Sequence, residues 1–250
     1  MRILLVNDDG INAEGIQVLA KELEKKHEVI IVAPEEQQSA KSHSITITKP
    51  IIVKKVNLKG IKAESYSISG SPADCVRVAF DRLLDEPIDL VISGTNMGVN
   101  LGMDVLYSGT VSAAIEANIY NKPSIAISAE IKNGVGCYEL AAKYAMKILD
   151  KVNHRFMESN TVMNINVPCI DEDVKGIKVC RIGGVIYDYY YVEEGSKEEE
   201  ISLVISGRRK KEFEKDTDRH YISKGYITVT PLQYDLTNFK LIEEVEGWLK

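Results

Sequence analysis

Short apolar runs alternate with amphipathic segments through the first two thirds of the chain. Five runs are predicted as strands: residues 2–6, 29–33, 88–92, 124–128 and 161–167. Between them, apolar positions recur at helical spacing, and helices are predicted around residues 16–23, 74–84, 111–120 and 138–152. Strands that are apolar throughout and separated by helices are typical of a parallel sheet covered on both faces. The pattern therefore predicts an α/β fold, a Rossmann-like three-layer sandwich with a mostly parallel sheet.

Two segments depart from this alternation. Residues 45–68 are rich in β-formers and are predicted to form a hairpin insertion. Residues 183–218 are rich in tyrosine and charge, and the alternation in residues 201–205 suits an extended hairpin. A further strand is predicted at residues 225–231, and a short terminal helix at 238–249 carries the only tryptophan. We expect a single domain over residues 1–250, with residues 183–250 as a C-terminal hairpin and helix arm used in oligomerisation.

Composition narrows the class of protein. A net charge of −6 argues against a surface that binds a nucleic-acid polymer. No apolar run is long enough to span a membrane, and the N-terminus lacks a signal-peptide pattern, so we expect a cytoplasmic protein. The four cysteines are scattered in apolar surroundings, which predicts buried free thiols: Cys75, Cys137, Cys169 and Cys180. The four histidines show no zinc-binding spacing.

The first predicted strand ends in Asn7-Asp8-Asp9-Gly10. In open α/β folds, ligands bind at the carboxyl ends of such strands. Two adjacent carboxylates are costly there unless a cation or a proton neutralises one of them. Capping of the next helix would explain one aspartate. It would not explain two, with Asn12 close behind, so we favour a hard-cation site.

Two further loops supply oxygen ligands at predicted strand ends. One covers residues 35–44 and the other residues 93–102. Carboxylate, hydroxyl and amide oxygens suit Mg²⁺, Mn²⁺ or Ca²⁺. The glycines of the second loop fit either a tight turn or a loop around a ligand, so they do not decide between the two.

A fourth element, Ser108-Gly109-Thr110, directly precedes a predicted helix. A helix N-terminus offers free N–H groups and a positive dipole end, which suit a phosphate. An ordinary serine or threonine cap is the alternative, and the neighbouring cation site favours phosphate. The chain lacks the P-loop motif, the dinucleotide-binding glycine motif after the first strand and the Asp-x-Asp of aspartyl-phosphate phosphatases.

Taken together, these motifs resemble the SurE (survival protein E) family. The resemblance rests on segments that occur in order along the chain: residues 7–10, 33–39, 42–46, 70–76, 93–100 and 107–114. It extends from Met1 to about residue 232. Two departures, at Ala40-Lys41 and at residues 219–224, affect loop shape more than catalysis.

The resemblance implies a cytoplasmic, metal-dependent phosphatase that hydrolyses nucleoside 5′- and 3′-monophosphates, with short polyphosphate as a further substrate. It implies one divalent cation per subunit, Mg²⁺ or Mn²⁺, with Ca²⁺ as a further candidate in crystals. The implied metal ligands are Asp8, Asp9, Ser39 and Asn96. The implied catalytic and substrate-binding residues are Asp8, Asp9, Asn12, Asn96, Ser108, Gly109 and Thr110. It also implies that C-terminal arms exchange between protomers, which predicts a homodimer or homotetramer.

The catalytic step leaves one choice open. Asp8 is the candidate for metal ligand and general base, but the sequence does not decide whether Asp8 or Asp9 deprotonates water, and an aspartate nucleophile remains an alternative.

A Mg²⁺-binding signalling module of the receiver type is an alternative function, because it would also place paired acids after its first strand. However, the strand ending at Ile92 leads to Asn96 rather than to an acceptor aspartate. A nucleotide-binding protein without catalytic activity is the third alternative.

Overall fold

The computed structural model describes residues 1–152, 154–183, 189–197, 199–208 and 213–250. Within them the strands are β1 (Arg2–Val6), β2 (Glu28–Pro34), β3 (Val53–Val56), β4 (Glu64–Ile68), β5 (Leu90–Met97), β6 (Ser124–Ala129), β7 (Ile131–Lys132), β8 (Val135–Gly136), β9 (Val162–Val167), β10 (Ile177–Val179), β11 (Tyr189–Lys197), β12 (Glu200–Arg208) and β13 (Ile227–Leu232). The α-helices are α1 (Glu14–Leu23), α2 (Pro72–Val78), α3 (Gly109–Ile119), α4 (Tyr138–Leu149), α5 (His154–Met157), α6 (Asp218–Ile222) and α7 (Ile242–Trp248). A π-helical turn continues α2, and a 3₁₀ turn at Gly102–Leu106 precedes α3.

A nine-stranded sheet forms the centre, in the order β10-β13-β9-β6-β5-β1-β2-β4-β3. Neighbouring strands are parallel except at β13–β9 and β4–β3. Strand β1 lies between β2 and β5. The strands from β2 to β4 therefore lie on one side of β1, and the sheet strands from β5 onward lie on the other. This is the point where open α/β folds bind ligands.

Alternate side chains of β1 enter two different cores. Ile3 and Leu5 pack in a cluster with the apolar faces of α1 and α4. Leu4 and Val6 belong to a second cluster that contains residues of α2 and α3. The predicted three-layer architecture is therefore confirmed. Among the described residues, no helix is long and apolar enough to cross a membrane.

Residues 45–68 do not form a separate insertion. Strand β4 joins the central sheet in parallel with β2, and β3 then pairs antiparallel with β4 at the edge of the sheet. The expected hairpin exists, but it extends the sheet. Its apolar side chains pack at the edge of the core, where Ile68 is fully buried.

The C-terminal third divides into parts with different surroundings. Strands β11 and β12 form the predicted two-stranded ribbon, separate from the central sheet. Strand β13 instead returns to the central sheet between β10 and β9. Helix α7 contributes no buried residue. Within residues 183–250, the ribbon and the segment after β13 therefore lie outside the central sheet and its core.

The expectation of free thiols is wrong for two of the four cysteines. Cys137 and Cys169 form a disulfide bond, with their Cα atoms 5.5 Å apart. Cys137 follows β8 and Cys169 follows β9, and the backbone N–H of each donates to Glu130, the first residue after β6. The fold thus brings together residues 32 positions apart in the chain. Cys75 is free and buried, and Cys180 is free and half-buried.

Candidate active site

Three neighbouring strands bring three of the four predicted ligands to one cleft, and Asp9 lines a neighbouring pocket. Asp8 and Asp9 follow β1, Ser39 follows β2, and Asn96 lies near the end of β5. Asp8, Ser39 and Asn96 line a cleft of about 550 Å³, together with Tyr107. The side chains that the sequence assigned to three separate loops therefore meet at one edge of the sheet.

Asp8 is the more deeply placed of the two acids, with 4% of its surface exposed. Its Oδ1 accepts a hydrogen bond of 2.5 Å from the Thr110 hydroxyl. Burial raises the pKa of Asp8 to about 6, opposed by the hydrogen bond from Thr110 and assisted by the charge of Asp9. A carboxyl group held in this way gains strongly from a nearby cation.

Asp9 is held between two loops. Its Oδ2 accepts a 2.8 Å hydrogen bond from the Met97 backbone N–H, and its Oδ1 accepts a 3.3 Å bond from the Gln37 amide. Partial burial is the main cause that raises its pKa. Asn7 shapes the turn beneath both acids, because its side chain accepts from Gly10 N–H and donates to Gly10 C=O. Gly10 has a φ of +100°, which favours glycine at this turn.

The donor set fits a hard divalent cation. Asn96 donates its amide hydrogen to Gly98 C=O at 2.7 Å, so its side-chain oxygen is the atom that can act as a ligand. Ser39 adds an exposed hydroxyl at the cleft. The part of the chain that the structure describes contains no cluster of three histidine, cysteine or acidic residues suited to a metal. Two carboxylates, a hydroxyl and an amide form an oxygen site of the kind that Mg²⁺ and Mn²⁺ prefer.

The N-terminus of α3 lies directly against Asp8. Ser108 caps this helix, because its hydroxyl accepts a 3.1 Å hydrogen bond from Val111 N–H. The capping alternative is thus present in the structure, and Ser108 also lines the cleft. A Cβ atom at Gly109 would lie 2.8 Å from Asp8 Cβ and 3.0 Å from Pro72 Cγ. Only glycine allows this close approach of the helix terminus to the acidic pair.

Gly109→Ala is expected to lower catalytic activity by about tenfold or more and the free energy of unfolding by about 1–3 kcal/mol, because the added methyl group must displace Asp8 or the helix terminus. Gly195→Ala is the matched control, since a Cβ there meets no atom within 4 Å. Phosphate release and urea unfolding of both variants provide the measurement. Equal behaviour of the two variants would contradict the proposed close packing.

The remaining predicted residues differ in their positions. Thr110 is fully buried, and its hydroxyl is used by Asp8. Replacement of Thr110 should therefore disturb the acidic pair as well as the helix terminus. Asn12 lies exposed on the turn before α1 and is not one of the residues lining the cleft. Its role in binding phosphate stays a prediction.

Sequence reasoning missed a pair of buried charged residues, Asp218 and Arg219, that bind the end of the loop of residues 93–102. Asp218 is fully buried and accepts hydrogen bonds from the backbone N–H groups of Gly102, Gly183 and Arg219. The Arg219 guanidinium donates to Leu101 C=O at 3.0 Å and to Asp104 at 3.1 Å. Nothing in the local sequence distinguishes this pair from the many charged residues of the last third.

Comparisons with known proteins identify the family of this chain. The family model described as "Survival protein SurE" matches residues 3–188. A protein of Clostridium tetani (strain Massachusetts / E88), named 5′-nucleotidase SurE, is 54% identical over 249 residues, covering 99% of this chain and 100% of the relative. A protein of Clostridium beijerinckii with the same name is 48% identical, covering 98% of both chains. The crystal structure of the SurE protein from Aquifex aeolicus is similar with a TM-score of 0.85 and 36% identity, and all of both chains is covered. This chain belongs to the SurE family.

Proposed function

We propose that this protein hydrolyses nucleoside 5′-monophosphates to nucleoside and phosphate, with 3′-monophosphates and short polyphosphate as further substrates. The carrying observation is a single cleft whose lining has two unlike parts. One part is the buried Asp8 with Ser108 at the N-terminus of α3, and the other is apolar and aromatic. The name shared by the Clostridium relatives supports the same activity.

At the polar end, each group has a separate task. A divalent cation held by Asp8, Asp9, Ser39 and Asn96 would supply positive charge to polarise the phosphorus and to make water a better nucleophile. Thr110 engages Oδ1 of Asp8, and Oδ2 lies on the side of Gly109 at the start of α3. Asp8 is the candidate acceptor for the proton of the attacking water, since its carboxylate is held in place by Thr110 beside the start of α3. The N-terminus of α3 can donate hydrogen bonds to the phosphate oxygens.

At the apolar end, the cleft suits a sugar and a base. Tyr107 and Tyr191 are more than half exposed, at 55% and 58%, yet both line the cleft. Tyr191 lies on the ribbon, and its partner Ile205 on the opposite strand also lines the cleft. Aromatic faces stack with any base, so this end favours nucleotides without selecting among bases.

Tyr107→Ala is expected to raise the KM for a nucleoside 5′-monophosphate by about tenfold, since stacking on one base contributes roughly 1–3 kcal/mol. Glycerol phosphate, which has no base, is the control substrate, and its KM should stay unchanged. Steady-state phosphate release measures both. If the variant changes the two KM values equally, Tyr107 does not contact the base.

We further propose that the ribbon and α7 mediate assembly into a homodimer or homotetramer. Large apolar side chains on both are largely exposed: Ile201 (64%), Leu203 (55%), Trp248 (67%) and Leu249 (84%). A two-stranded ribbon is marginal in water unless another surface covers it. A second copy of the chain would supply that surface in a symmetric arrangement.

A chain that ends at Gln233 and carries Ile201→Glu and Leu203→Glu is expected to be monomeric, because these changes remove α7 and place two charges on the exposed apolar surface of the ribbon. Light scattering beside the full chain gives the mass. Retention of the full oligomeric mass would place the interface in the α/β body.

A further inference from the structure

The loop of residues 35–44, here called the Ser39 loop, carries one proposed cation ligand on a strained backbone. Ala40 and Ser42, on either side of Lys41, have φ values of +57° and +53°. Such conformations are unfavourable for residues other than glycine and persist only where surrounding contacts hold them. The contacts that anchor this loop therefore determine whether Ser39 is held at the cleft.

The loop has backbone anchors at both ends of the strained segment. Gln38 N–H donates to Asp8 C=O at 2.7 Å. Ser42 donates its N–H to Tyr107 C=O at 3.0 Å and its hydroxyl to Leu106 C=O at 2.6 Å. The bond from Gln38 attaches the loop to the turn after β1, and the two bonds from Ser42 attach it to the segment before α3.

One side chain attaches the loop to α3. His43 Nε2 lies 2.6 Å from Oε2 of Glu116, whose side chain is 3% exposed. The other carboxylate oxygen of Glu116 accepts a 3.0 Å hydrogen bond from Arg77 on α2. Burial alone would raise the pKa of Glu116, but the hydrogen bonds and charges of His43 and Arg77 outweigh it, and the pKa is lowered. Glu116 is therefore an ionised, buried anchor.

Helix α3 connects this anchor to the acidic pair. Thr110, in its first turn, contacts Asp8, and Glu116 lies on the same helix six residues later. A helix is rigid over this distance of about 9 Å. We propose that His43 is a positioning residue: by bonding Glu116 it holds the Ser39 loop at a set distance from Asp8, so that Ser39 completes the cation site. This inference rests on the ligand set of the proposed function.

The geometry separates this role from a general contribution to folding. His43 is partly exposed, and its removal leaves Glu116 paired with Arg77 rather than unpaired in the interior. Removal of the His43 side chain should therefore change the position of the Ser39 loop rather than leave an unpaired charge in the interior. Arg77 contacts the same carboxylate but lies on α2, so it provides a matched control that leaves the loop anchor intact.

The test is calorimetric titration of Mn²⁺ into the full chain and its variants, with thermal unfolding measured on the same samples. His43→Ala is expected to raise the dissociation constant of Mn²⁺ by about tenfold, the scale of losing a group that orients a metal ligand. His43→Gln, which can still donate to Glu116, should recover most of that affinity. Arg77→Met should bind Mn²⁺ like the unchanged protein.

Unchanged Mn²⁺ affinity in His43→Ala would overturn the inference. Equal loss of affinity in Arg77→Met, together with a fall in the unfolding temperature of both variants, would also overturn it, because the contact would then be purely structural. Ser39→Ala separates this inference from its premise. If Ser39→Ala weakens Mn²⁺ binding and His43→Ala does not, only the positioning role fails; if Ser39→Ala has no effect, the proposed ligand set fails and the positioning role fails with it.

Discussion

Removal of divalent cations by excess chelator is expected to abolish phosphate release, and Mg²⁺ or Mn²⁺ is expected to restore it. Asp8 is buried beside Asp9, and burial raises the pKa of both carboxyl groups. A cation held by both groups would offset the cost of two neighbouring negative charges. Chelation therefore removes both the charge that polarises phosphorus and the balance of charge at the acidic pair.

Phosphate release before and after dialysis against EDTA measures this effect, with elemental analysis of the dialysed protein as the control for retained metal. Full activity with no metal bound would contradict the cation site. Restoration by Zn²⁺ alone would contradict the oxygen ligand set, since zinc prefers nitrogen and sulfur ligands.

Asp8→Asn is expected to lower the turnover rate by about a hundredfold or more, because it removes a charged ligand and the candidate general base together. Asp9→Asn is expected to cause a loss of similar size through the cation alone. The two variants also address which aspartate accepts the proton of water, since only loss of the base should alter the pH profile of the residual rate. Near-unchanged turnover in both variants would place the site elsewhere.

Asp8→Asn should also stabilise the metal-free protein at neutral and basic pH. Because the pKa of Asp8 is raised to about 6, the folded protein keeps a proton between about pH 4 and 6 that the unfolded chain has released. The raised pKa of Asp8 thus lowers the free energy of unfolding progressively from pH 4 to 6. Above pH 6, where Asp8 is ionised in both states, it lowers this free energy by a constant amount. In EDTA, Asp8→Asn should be about 1–3 kcal/mol more stable than the unchanged chain at pH 8 and equally stable at pH 4. Urea unfolding at these two pH values provides the check, and a variant that is less stable at pH 8 would contradict the buried charge.

Much of the cleft was predictable because local pattern and topology give the same answer. The aliphatic run of β1 ends at Asn7, so the acids that follow it had to lie at the edge of a sheet. Parallel strands place their carboxyl ends side by side, which brings the loops after β2 and β5 to the same edge. The motif resemblance then added Ser39 and Asn96 as partners.

Other parts depend on contacts between distant residues that no local pattern encodes. The bond between Thr110 and Asp8 joins residues 102 positions apart, and the bond from Gly102 to Asp218 joins residues 116 apart. The disulfide of Cys137 follows from the pairing of β6 with β9 rather than from a cysteine motif. The edge position of β3 was missed because an exposed edge strand such as Val53–Val56 has the same local pattern as a strand of an inserted hairpin.

The most direct test of the central claim is phosphate release from a panel of phosphate esters by the purified full chain, in parallel reactions with Mg²⁺, Mn²⁺ or EDTA. The panel contains nucleoside 5′- and 3′-monophosphates, short polyphosphate and glycerol phosphate, and Asp8→Asn controls for contaminating phosphatases. We expect cation-dependent release that is fastest from nucleoside 5′-monophosphates and at least about a hundredfold slower in Asp8→Asn. Nucleotide that binds without releasing phosphate under any cation, or equal release by both chains, would contradict it.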